Sequence, residues 1–125
     1  TAEAAELARL ADDLATPDDT ETQVLWRSVL ARASVEDDGD RLAARSLAIE
    51  AVELLRPTQA PVLLADALVD LALVHSALGD EVDAVLSLTE AAQLYADKEH
   101  AVGTRMVEEA ARAAGLMVPE PSAPL

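Results

Sequence analysis

A chain of 125 residues with 24 acidic and 9 basic side chains carries a formal charge of −15, which argues against nucleic acid and anionic membrane as partners, since both are met by Lys and Arg. It has no cysteine, so disulfides, thiolate zinc sites and thiol nucleophiles are excluded, and no apolar run reaches the ~18 residues of a membrane span. Apolar residues make up 51% of the chain but only Trp26 and Tyr95 are aromatic, so alanine and leucine must fill the core, and both are strong helix formers.

Taken in order, the chain predicts six helices. The first, 2–15, carries Ala4, Ala8, Ala11 and Leu14 on one face, at the steps of a 3.6-residue period. Thr16-Pro17-Asp18-Asp19 reads as a cap opening the second, 18–36, with proline in the first turn where no N–H is missed. Its inner face holds Val24, Arg27, Leu30, Ala31 and Ser34. Gly39-Asp40 then opens a third helix, 40–55, with Ala44, Ala48, Ala51 and Leu54 on its face and Pro57 ending it. A fourth, 60–78, begins near Pro61 and aligns Leu64, Leu68, Leu71, Ala72 and His75. Gly79-Asp80 opens the fifth, 81–95, with Asp80 expected to cap it and Ala84, Leu88, Ala91 and Leu94 on its face. Asp97 is expected to cap the sixth, 98–114, which Gly115 closes. Residues 118–125, rich in proline, read as a flexible tail.

Helices one, three and five say the same thing at an offset of forty. Ala4, Ala8, Ala11 and Leu14 fall on Ala44, Ala48, Ala51 and Leu54, and these on Ala84, Leu88, Ala91 and Leu94. An all-helical chain with a fixed period is the mark of a solenoid. The expected fold is all-α, with antiparallel hairpins stacked through alanine seams. Residues 1–117 form one domain: an orphan helix 2–15, hairpins 18–55 and 60–95, and a capping helix 98–114.

These residues resemble the tetratricopeptide repeat. That motif places a large residue, a Leu-Gly/Ala pair and a second large residue on its first helix. A glycine turn and a run of small residues on the second helix follow. Leu68, Leu71-Ala72, His75, Gly79, Ala84, Leu88 and Ala91 match it. So do Leu30-Ala31, Gly39, Ala44, Ala48 and Ala51. Repeats of the HEAT type, with periods near forty, are the alternative. The stretch 20–115 is also similar to the C-terminal repeat regions of large actinobacterial signalling regulators. Those regions sit downstream of ATPase, cyclase-like or DNA-binding modules, and no phosphate-loop or cyclase motif occurs here.

The resemblance implies a non-catalytic module that binds a protein or peptide segment in a concave groove. Carried onto this sequence, the groove is lined by Leu25, Ser28, Arg32 and Val35 from one hairpin and Asp66, Val69, Leu73 and Ser76 from the next. A purely structural role, with self-association through residues 2–15, is the competing expectation. No cofactor or metal is expected. His75 and His100 stand on different helices without a second histidine at i+4, and "EDDGD" at 36–40 lacks the ligand spacing of a calcium loop. Asp66 and Asp70 are one turn apart, which suits acid–base work only in a pocket, so they are expected along a solvated stripe. No signal peptide is visible and the first residue is Thr1, which suggests a processed or excised cytoplasmic fragment.

Overall fold

The alanine register becomes a stack of helices. A computed structural model describes residues 23–27, 29–31 and 41–122. It contains α1 (Arg41–Leu55), α2 (Pro61–Ala77), α3 (Glu81–Asp97) and α4 (Ala101–Ala114), and residues 23–27 and 29–31 are helical too. Helix 2–15, the cap at 16–19, the Gly39-Asp40 turn, and Ser28, Arg32 and Val35 of the expected groove lie outside the described residues. The fold is all-α, and none of its described helices is long and apolar enough to cross a membrane.

Each helix stops for a local reason. α1 stops ahead of Pro57, and just past it the Thr58 N–H and hydroxyl both donate to the Leu55 carbonyl, at 3.0 and 2.6 Å. Proline then occupies the first position of α2, where a missing N–H costs nothing. The α2 end closes on Gly79, at φ 81. There the Asp80 N–H donates to His75 at 2.9 Å and the Gly79 N–H to Ser76 at 3.0 Å, which satisfies carbonyls the helix leaves open. The α4 end repeats this pattern at Gly115, with the Leu116 N–H on Ala111 at 2.8 Å. The α3 end repeats it a third time without glycine: Glu99 takes φ 51, and the His100 N–H donates to Tyr95 at 2.9 Å.

Two expectations are corrected here. Asp97 is the last residue of α3, not the cap of α4. His100 is that cap, its Nδ1 accepting from the Gly103 N–H at 2.9 Å. Asp80 does stand at the start of α3, but its carboxylate caps no N–H; it takes the Arg45 guanidinium instead, at 3.0 Å. In residues 118–122, Val118 packs on the core and Ser122 is hydrogen-bonded to Gln93.

The seams are where the repeat puts them. Ala44, Ala84 and Ala91 are fully buried, and Ala48, Ala51, Ala72 and Leu88 nearly so. Methyl-sized side chains let helix backbones approach and leave the volume to Leu55, Leu68, Leu88, Val52 and Tyr95, the largest fully buried side chains. Each buried side chain of the Leu or Val class contributes about 1.5–3 kcal/mol relative to leaving it in water. Short turns make sequential helices antiparallel. α1 packs on α2, α2 on α3 and α3 on α4, and α2 also meets α4, whereas the α1 and α3 backbones are not packed against each other. So α4 sits against both helices of the α2–α3 hairpin. Arginines tie the hairpins together at the surface. Arg41 reaches the Ala77 carbonyl at 3.3 Å, and Arg56 pairs with both Glu90 oxygens at 2.8 and 3.0 Å.

Candidate functional site

On α2, Leu63, Asp66, Asp70 and Leu73 recur at steps of three, four and three, so they share one helical face. The helical residues 23–31 run beside the first part of it. Between the two lies a cleft of about 190 Å³, walled by Val24, Leu25, Val29, Leu63 and Ala67, with Asp66 and Asp70 as its polar groups. Leu25, Leu63 and Leu73 are all exposed.

Of the expected groove residues, the cleft brings together Leu25 and Asp66. Leu73, 44% exposed, lies farther along the same face, and Ser76 is half-buried near its end. Val69 is only 5% exposed and belongs to the core, so it offers nothing to a partner. Leu63, Val29 and Asp70 were missed. The expected solvated stripe is also corrected, because Asp70 is buried at 9% exposure.

Asp66 is held from behind. The Tyr95 hydroxyl on α3 donates to its Oδ1. Burial raises the Tyr95 phenol well above its ordinary value, and the Asp66 hydrogen bond and the charges of Asp66 and Asp70 add to the shift. Tyr95 therefore stays a neutral donor. Its ring is itself fixed: His100 stacks on it at 5.4 Å and 28°, and Gly103 lies so close that a Cβ there would stand 2.2 Å from the Tyr95 Cδ1. A chain of contacts thus runs from the start of α4 through Tyr95 to the cleft.

At the other end of α2, His75, Asp80 and Asp83 place possible ligand atoms within 4.8 Å of one another. The number and type suit a divalent cation poorly as they stand, because the Arg45 guanidinium already neutralises Asp80. His75 is buried, and its Nδ1 has no hydrogen-bond partner among the described residues. Burial pushes its imidazole below the ordinary value of 6.5, against the opposite pull of Asp83 and Asp80, while Arg45 adds to the depression. Trp26 is half-buried, with its Nε1–H donating to Gln23 at 3.1 Å and the Arg27 guanidinium 4.2 Å over its ring. Arg27 in turn pairs with Glu50 of α1 at 3.1 Å. Its indole face is therefore covered by the protein's own cation.

Comparison with family models, with curated proteins and with solved structures gives no match.

Proposed function

We propose that this array is a non-catalytic interaction module of a larger cytoplasmic signalling regulator, of the tetratricopeptide type that its sequence resembles. It holds a partner segment along the face of α2. The observation that carries this reading is the face itself: exposed leucines at both ends of two carboxylates, beside a preformed apolar cleft. Such a surface suits a segment that presents apolar residues around a Lys or Arg. The Tyr95 hydroxyl donates to Asp66 and so orients its carboxylate in the cleft.

The test is capture of partners by the wild type and by a Leu25→Asp/Leu73→Asp variant. Both positions are exposed, so the fold should survive the change. Loss of a partner that the wild type retains supports recognition by this face. Equal capture by both proteins removes it.

A second reading, self-association, has its own support. Val82, Leu86 and Met117 are 74%, 62% and 91% exposed and surround a second cleft of about 340 Å³. A neighbouring hairpin or another copy would cover them. Light scattering of a Val82→Asp/Leu86→Asp variant against the wild type separates this reading from the first, since only self-association predicts a lower molar mass for the variant.

A further inference from the structure

The segment after α4 turns back and lies on the protein. Leu116 and Val118 pack on the core, and the chain then runs through Pro119 and Pro121 to Ser122. There the Gln93 side chain takes hold of the backbone. Its Oε1 accepts from the Ser122 N–H at 2.9 Å, and its Nε2 donates to the Ser122 carbonyl at 3.1 Å. Asp97 accepts a second Nε2 proton at 2.9 Å, which fixes the orientation of the amide. A side-chain amide that pairs with both backbone groups of one residue reads an extended conformation and no side chain. Any extended residue other than proline satisfies it.

The segment does not fill the surface it covers. Between it and the helices is a cleft of about 370 Å³, with Ala92, Val107 and Ala111 as its apolar wall and Arg112 at its edge. That is within the range of ligand-sized pockets, and it leaves room for an apolar side chain larger than valine. The two hydrogen bonds to Gln93 are exposed, so the segment is lightly held. Pro119 and Pro121 bias the chain toward the extended polyproline conformation, which lowers the entropy lost on docking.

We propose that the α3–α4 face around Gln93 is a binding site for an extended, proline-containing peptide segment of a partner, and that residues 116–122 occupy it in cis as a stand-in. The ligand has an apolar residue followed by prolines at alternate positions, with a free backbone N–H where Ser122 lies. The site uses none of the residues of the α2 face, so it stands whether or not that face binds a partner. A tethered segment competes at an effective concentration of about a millimolar. A partner peptide therefore binds weakly until the segment is removed or pulled away.

The probe is a synthetic LMVPEPS peptide, titrated into the isotope-labelled 125-residue protein and into a protein ending at Gly115. Amide signals of Gln93, Val107 and Ala111 are followed by NMR. The expected result is saturable shifts in both, with a midpoint at least tenfold lower in the shortened protein. Gln93→Ala in the shortened protein should raise that midpoint at least fivefold, and glycine in place of both peptide prolines should raise it at least threefold. Leu25→Asp/Leu73→Asp should leave it unchanged. Equal midpoints in the two proteins, or a Gln93→Ala protein that binds as tightly, would overturn the proposal. Should the shortened protein fail to fold, the arm with the 125-residue protein still decides. There, excess peptide must move the Ser122 amide to its free-chain position, and a Ser122 signal that stays in place at saturating peptide overturns the assignment.

Discussion

Gly103 shows how one residue sets a local structure. It stands in the first turn of α4, buried against the Tyr95 ring, and a Cβ would fall 2.2 Å from a ring carbon. The ring cannot step aside, because His100 stacks on it and its hydroxyl is bound to Asp66. Gly103→Ala gains helix propensity of up to about 1 kcal/mol, yet the overlap should outweigh that gain. The expected net loss is about 1–3 kcal/mol, read as a lower Tm, together with a changed near-UV signal from Tyr95. A Tm at or above that of the wild type would mean that the ring and the α4 backbone are not in contact. The same cluster explains why the start of α4 was misread. Aspartate is among the strongest N-caps, so Asp97 drew the boundary three residues early. What decides the boundary is the ring of Tyr95, which requires a residue without a Cβ above it and an aromatic cap beside it. Neither requirement shows in a local pattern.

At the scale of the helix, the repeat was legible because it is a packing code. Ala44 and Ala84 occupy equivalent places forty residues apart, and both have no exposed surface. Ala84→Leu forces three extra carbons into a closed seam and should cost about 1–3 kcal/mol. Glu81→Gln, on the exposed first turn of the same helix, should stay within about 0.5 kcal/mol. Equal chemical-denaturation midpoints for the two variants would place the seam elsewhere. The candidate site was less legible. α2 is apolar around most of its circumference, with residues buried at nine of its seventeen positions, so its periodicity does not say which way it faces. Val69 was placed in the groove by carrying over the face that the resemblance implies, and the helix's own pattern could not correct it, while Leu63 and Asp70 were passed over. The Gln93 clamp on Ser122 had no signal at all, since it joins a side chain to a backbone 29 positions away.

For the molecule as a whole, acidity and burial pull stability in opposite directions as pH falls. Protonating carboxylates relieves the self-repulsion of a chain at −15. His75 acts the other way. Its imidazole is held below 6.5 in the folded state, first by burial, so above that value both states are neutral there and its contribution is fully present. As pH drops from 6.5 toward the folded value, the unfolded chain takes up the proton first and stability falls. The change in Tm between about pH 7.5 and 5.5 isolates this effect when wild type and His75→Gln are compared. The wild type should lose more, or gain less, than the variant. Identical shifts would mean that His75 is as well solvated in the fold as out of it.

Of the four helices, only α2 touches each of the others. α1 is joined to the α3 side by surface arginine pairs, Arg45 with Asp80 and Arg56 with Glu90, rather than by close helix packing, so α2 carries most of the junction between the hairpins. Loosening α4 leaves the packing of α1 on α2 and of α2 on α3 in place, whereas release of α2 removes a neighbour from all three other helices at once. The leucine-flanked carboxylates sit on that spine. A ligand gripping it would brace the entire pile at once, so occupancy at one small cleft would be felt from Arg41 to the far end of α4.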